Sequence, residues 1–343
     1  MKSHVGRTGI TSFRVGIDSY CLNPLRWDPF TILEWVAQQG GDGVQFSEVH
    51  LPPGRAVDAE FLIDLAAAAC DLDLYVEWGG GQHVPYDTAT WQAKDLAPGN
   101  RRAAEQANTL GTQVIRSCSG GFFRWHDESP STDQLLQEMV AALQPQRDVF
   151  TDLGVTLAIE LHFEFTTFEL IRLFEMLDAE PGGWLGVCLD TFNVLPLLED
   201  PVLATRRILP WVVSTHVKDG GLVVDDAGLV CFPTTVGSGL VDLRAIIQLL
   251  GTLERPLNLS VEDHGGSFTT DFRDDSLMAR FPDLTTTELD RLKAAALVGV
   301  EKVKSGELAV TEREDWPEQC QERTKAGLHN VRELVQEMSA KTT

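Results

Sequence analysis

Long apolar runs are missing from this chain. No stretch reaches eighteen apolar residues, so a membrane-spanning helix is not expected. The opening MKSHVGRTGITSFRVG lacks the apolar segment of a secretory signal and reads as a short polar lead-in to the first strand. Basic residues are scarce: 28 Lys and Arg stand against 51 Asp and Glu, a formal net charge of −23. Nucleic acid and anionic membrane surfaces both need Lys and Arg to meet their phosphates, so neither is expected as a partner. The same acidity disfavours a highly phosphorylated substrate and keeps the protein soluble. Cys21, Cys70, Cys118, Cys188, Cys231 and Cys320 are scattered with no CxxC pair. That pattern reads as reduced thiols in a cytoplasmic protein. No internal repeat or low-complexity segment stands out.

What is present is a regular alternation of strand and helix. With 343 residues and 43% hydrophobic content, the chain can fill one large α/β barrel or two ordinary domains. Short apolar runs read as strands at FRVGID (13–18), GVQFSE (43–48), LDLYVEW (72–78) and TQVIRSC (112–118). Four more follow: VTLAIE, LGVCLD, VVSTH and LNLSVE. Runs of this kind are the mark of parallel strands covered on both faces. Helices are expected near 28–39, 57–71, 97–110, 132–153, 166–178, 198–208, 240–253 and 286–304, with Asp28 capping the first. Eight such units make a closed (β/α)8 barrel of the TIM type. A doubly wound open sheet would place a glycine-rich turn after the first strand, and the sequence there is DSYCLNP. The expected organisation is a barrel over residues 1–305 and a C-terminal helical extension over 306–343. Its amphipathic helix, near 316–339, either packs outside the barrel or forms an arm for a partner subunit. Assembly into an oligomer is expected.

The last four strands end on Glu160, Asp190, His216 and Glu262. In α/β barrels the carboxyl ends of the strands carry the chemistry. One such residue alone is as well explained by a helix cap or a surface site. Three carboxylates and an imidazole together make an oxygen-rich divalent-metal set. His162 follows Glu160 by two positions and shares its face if the strand continues that far; otherwise it is a loop histidine. His83 follows a glycine run that lets backbone approach a ligand or merely makes a tight turn. Asn193, Lys218, Asp263 and His264 lie just beyond the strands, where side chains can meet substrate hydroxyls. GSG (237–239) precedes a helix and offers backbone N–H groups to an anion, or else only turns the chain. No Lys-Ser/Thr follows, so it is not a P-loop.

AIELH (158–162), CLDTFN (188–193), STHVKD (214–219), VGSGLVD (236–242) and LSVEDHGG (259–266) resemble motifs of the xylose isomerase-like barrels, the sugar phosphate isomerase/epimerase group. The resemblance covers roughly residues 13–270. It implies that Glu160, Asp190, His216 and Glu262 hold Mn²⁺, with Mg²⁺ or Co²⁺ suited to similar ligands. Glu160, Glu262 or His162 is then expected to move a proton next to a metal-bound carbonyl, and His83, Asn193, Lys218 and His264, from their places after the strands, are expected as substrate contacts. The endonuclease branch of the group is disfavoured by the charge and by only 8 histidines.

Ketose 3-epimerases of this group carry His three residues after the Asp ligand and Arg six residues after the His ligand. Asn193 and Leu222 stand there instead. The EWGGGQH and ELHFEF regions look closer to the α subunit of bacterial C-glycoside deglycosidases, which cleave 3-keto C-glycosides beside a smaller β subunit. The expectation is a metal-dependent lyase on an oxidised (3-keto) sugar or C-glycoside. A sugar or sugar-phosphate isomerase/epimerase is the second expectation, and a non-catalytic scaffold barrel the third.

Overall fold

The computed structural model describes residues 13–119 and 121–340. The polar lead-in therefore falls almost wholly outside the described residues. Eleven strands occur among them: β1 (Arg14–Asp18), β2 (Gly43–Phe46), β3 (Tyr75–Gly81), β4 (Val114–Ser117), β5 (Thr156–Glu160), β6 (Leu185–Asp190), β7 (Val212–Val217), β8 (Asp219–Val224), β9 (Leu229–Thr234), β10 (Asn258–Val261) and β11 (Phe268–Thr270).

Eight of these close a barrel in the order β1-β10-β7-β6-β5-β4-β3-β2, and every neighbouring pair is parallel. Helices connect the strands, so the architecture is a TIM barrel with a C-terminal helix. The reason is in the runs themselves. Strand β6, LGVCLD, is buried at every position, as a strand walled by its barrel neighbours and an outer helix must be. The segments after the strands carry the caps that start the next helix. Asp28 accepts the N–H groups of Phe30 and Thr31 at 3.0 and 3.1 Å, and Thr166 with Glu169 forms a reciprocal capping box.

Three elements differ from the sequence reading. The single helix expected over 132–153 is two, Thr132–Leu143 and Arg147–Leu153. Pro145 lies in the tight turn between them, where its ring and missing N–H break the helical ladder. A small antiparallel sheet, β11-β9-β8, stands outside the eight expected units. Its hairpin turns at Asp225–Gly228, where Asp225 accepts from Ala227 and Gly228. Finally, helix Thr286–Ser305 packs on β8, and it is helix Trp316–Ala340 that packs on β1 and β10. There it buries Leu328, Val331 and Met338 in the main core. Arg323 of the same helix grips Asp263 through two hydrogen bonds of 2.7 and 2.6 Å.

The GSG turn is a turn with an internal occupant. Gly237 and Gly239 donate to one carboxylate oxygen of Asp219, while Gly220 and Val241 donate to the other, all between 2.8 and 3.1 Å. Gly237 has φ +90°, and a Cβ at Gly239 would lie 2.2 Å from Asp219 Oδ1. Glycine is required at both places. Among the described residues no helix is long and apolar enough to cross a membrane.

Candidate metal centre

Parallel register brings the ends of β5, β6, β7 and β10 to one level. Asp190 pairs with His216, and His216 with Ser260. The N–H of Glu262 continues that ladder to Val217 O at 3.1 Å. Glu160, Asp190, His216 and Glu262 consequently gather with ligand atoms all within 4.8 Å of one another, every one buried.

The imidazole of His216 shows what this cluster lacks. Its Nε2 faces Gln45 Oε1 and lies 3.2 Å from Asp18 Oδ2, which fixes a proton on that nitrogen. Nδ1 then points its lone pair at Glu160 Oε1 and Glu262 Oε2, each 3.2 Å away. A lone pair facing two carboxylate oxygens is repulsive unless a proton or a cation stands between them. Three oxygens and one imidazole nitrogen match a hard or borderline divalent ion, so the residues fit the metal that their spacing in the sequence suggested.

Two cations brace the carboxylates from outside. Arg116 Nη2 reaches Glu160 Oε2 at 2.6 Å. Lys218 Nζ lies 3.4 Å from Asp190 Oδ2 and 3.0 Å from Glu262 Oε2. Burial alone would raise every carboxyl here. For Glu160, Arg116 and His216 outweigh that, and for Glu262, Lys218 and His216 do so; both are held below the ordinary carboxylate range. Asp190 is different. Burial dominates and pushes it to about 6, although Lys218 opposes. Burial would lower His216, but Cys188, Glu262 and Glu160 hold it well above its ordinary value. At neutral pH without metal, His216 carries the proton that its geometry demands.

Glu160 and Glu262 of the cluster line a cavity of about 740 Å³, with Asp190 and His216 buried behind them. Lys218 and His264 border it; Asn193 is buried behind, with its Oδ1 3.4 Å from Lys218 Nζ. Burial lowers His264 to about 3, and its Nδ1 bonds Gly265 O at 2.8 Å. His83 is fully buried, its Nδ1 2.8 Å from Ser117 Oγ, and Gln82 borders the cavity in its place. Burial lowers His83 to about 4, so it is neutral. His162 does border the cavity, though strand alternation does not put it there. Strand β5 ends at Glu160, and the His162 N–H turns back to Glu160 O at 3.0 Å. Its Nδ1 lies 3.2 Å from buried Glu164 Oε2. Burial would lower His162, but facing Glu164 raises it. Asp263, turned toward Arg323, is not at the cavity.

Arg116, Gln45, Asp18 and Glu164 went unremarked in the sequence. Arg116 had a signal, since a guanidinium inside a buried strand needs a carboxylate partner. Gln45 and Asp18 had none, because their role depends on where His216 points.

Residues 33–293 match the model of the xylose isomerase-like TIM barrel. The chain is 25% identical over 169 residues to the 3-oxo-isoapionate decarboxylase of Pectobacterium atrosepticum, covering 49% of this chain and 60% of that protein. It is 27% identical over 104 residues to the uncharacterized protein YihM of Escherichia coli, covering 30% and 31%. The matched part thus spans less than two thirds of either curated relative. Among solved structures, an L-ribulose 3-epimerase aligns with a TM-score of 0.56 at 21% identity, over 86% of this chain and 96% of that one. At that identity the likeness shows the fold. The match to the family model spans well over half of the sequence, and the chain belongs to the xylose isomerase-like TIM barrel family.

Proposed function

We propose that the protein is a metal-dependent lyase, acting on an oxidised (3-keto) sugar or C-glycoside by proton abstraction and elimination. One observation carries the reading: Glu160 and Glu262 approach one imidazole nitrogen from two strands, 3.2 Å on either side, at the floor of a cavity of about 740 Å³. Glu160, Asp190, His216 and Glu262 would hold the ion, Mn²⁺ in the first instance, which when bound polarises a substrate carbonyl and the hydroxyl beside it. Held low, Glu160 and Glu262 are ionised and able to accept the proton alpha to that carbonyl. The electrons of the broken C–H bond form a double bond as the bond to the aglycone or hydroxyl breaks. That leaving group takes its electron pair and receives back the proton that the carboxylate took up, which returns Glu160 or Glu262 to its ionised form. Lys218 and His264, at the cavity wall, orient sugar hydroxyls.

Support comes from two further places. Leu222, standing where epimerases of this group have Arg, is 1% exposed within an apolar cluster around Leu198 and Leu229, so no charged side chain reaches the substrate from there. A decarboxylase among the relatives cleaves a carbon–carbon bond by its name. The six cysteines without CxxC spacing fit a cytoplasmic setting. The same Glu160 and Glu262 pair also suits a two-base epimerase, which is the second reading.

The test is to incubate the pure chain with Mn²⁺ and a 3-keto C-glycoside, with and without a co-expressed small partner subunit. Release of free aglycone is expected. No release in either case, together with interconversion of ketoses, would give the site to the epimerase.

A further inference from the structure

Beside the four-ligand cluster lies a second convergence of donors that the reaction above does not use. Strands β4 and β5 pair directly, Ser117 against Ile159, so the segments following them run side by side. Cys118 stands one residue beyond β4; His162 and Glu164 stand beyond β5. Their ligand atoms lie within 4.8 Å of one another.

Glu164 is the informative member. Its side chain is 1% exposed. Oε1 is anchored by the N–H of Gly121 at 3.0 Å, which aims Oε2 at His162. Oε2 and His162 Nδ1 stand 3.2 Å apart as a charge pair, with the ring out of line for a hydrogen bond. Oε2 thus has only the off-line charge of His162 to offset its burial, a costly arrangement for a carboxylate. The spacing has a natural explanation. Two ligands about 2.0–2.1 Å from one tetrahedral zinc lie roughly 3.3 Å apart. A nucleophilic Cys–His–Glu arrangement would instead need the carboxylate in line with the ring N–H. Beside the cluster, His83 Nε2 is also buried without a hydrogen-bond partner.

We propose that Cys118, His162 and Glu164 form a second cation site, distinct from the oxygen-rich centre and suited to Zn²⁺ or another borderline ion. A thiolate, an imidazole and a carboxylate are softer donors than three carboxylates and an imidazole, so the two sites sort metals differently. Cys118 and His162 border the cavity, leaving a three-ligand site open on the substrate side, as in catalytic zinc centres. His162 then acts as a ligand, and proton transfer falls to Glu160 and Glu262.

Cobalt distinguishes the sites, because thiolate ligation gives a near-ultraviolet sulfur-to-cobalt charge-transfer band and oxygen ligation does not. Full-length protein stripped with chelator is titrated with Co²⁺, and in parallel with Zn²⁺ under metal analysis. Two equivalents of Zn²⁺ and a charge-transfer band are expected. Cys118→Ser should lose the band and one equivalent; Glu164→Gln, which keeps the thiol, should weaken the same site at least about tenfold. Glu160→Gln should keep the band while weakening the other site. Cys188, whose sulfur lies near Gln45 and His216, supplies the control: Cys188→Ser should leave the band in place. A wild-type chain without the band, or a band that survives Cys118→Ser and vanishes with Cys188→Ser, overturns the proposal. Neither readout depends on turnover, so a failed lyase assay leaves this test standing.

Discussion

Glu77 and Glu262 are both buried carboxylates on the axis of one barrel, 3% and 5% exposed, and they live under opposite conditions. Glu77, on β3, belongs to a closed layer one step below the candidate metal centre. It accepts from Gln45 Nε2 at 2.5 Å, Ser214 Oγ at 2.6 Å and Asn258 Nδ2 at 2.8 Å. Tyr75 and Ser260 join their hydroxyls nearby at 2.9 Å. Glu262 instead shares one imidazole and one ammonium with two other carboxylates. The lower layer is satisfied by the protein itself, whereas the upper one needs something from outside. Burial alone does not separate structure from function here; the count of available donors does.

The difference can be broken most severely at the upper layer. Glu160→Gln or Glu262→Gln should cut turnover by roughly 10²–10⁴-fold, the usual worth of a positioned acid or base, with circular dichroism unchanged. Glu262→Ala removes one partner of Lys218 and His216, but Asp190 and Glu160 still face those cations, so it should lower the melting temperature only modestly. Glu77→Ala should cost more. It strands three donors and should cost about 3 kcal/mol or more in denaturant unfolding. A Glu77→Ala protein as stable as wild type would mean that the lower layer is not self-sufficient.

Gln45 links the layers, donating from Nε2 to Glu77 and accepting at Oε1 from His216. Gln45→Ala should weaken metal binding about 10- to 100-fold by freeing the ring of His216, measured by calorimetric titration with Mn²⁺. A smaller effect is set by pH. His216 sits well above its ordinary value, so binding near neutral pH displaces one proton from it; below about 6, Asp190 is protonated too and a second proton must leave. Affinity therefore falls as pH falls, about tenfold per unit near neutrality and more steeply below about 6. An affinity flat from pH 5 to 8 would remove these two residues from the coordination set.

Most of the upper layer was legible in the sequence, because its members end apolar strands and a period of one β/α unit separates them. The eight barrel strands were legible for the same reason. The lower layer was not. Glu77 sits inside LYVEW and Ser214 inside VVSTH, where a single polar residue looks like a flaw in an apolar run until four strands are seen to converge. The β8–β9 hairpin has a signal of its own, since DDAG (225–228) between two apolar runs is a turn sequence. The site of helix Trp316–Ala340 on β1 and β10 depends on a long detour, β11 and helix Thr286–Ser305, that displaces the expected eighth helix onto the hairpin.

Anomalous scattering from a crystal grown with Mn²⁺ locates the ion itself. A peak bounded by Glu160, Asp190, His216 Nδ1 and Glu262 is expected, with the ring still held by Gln45. A peak elsewhere, or none while these four side chains keep their present positions, would contradict a metal centre there.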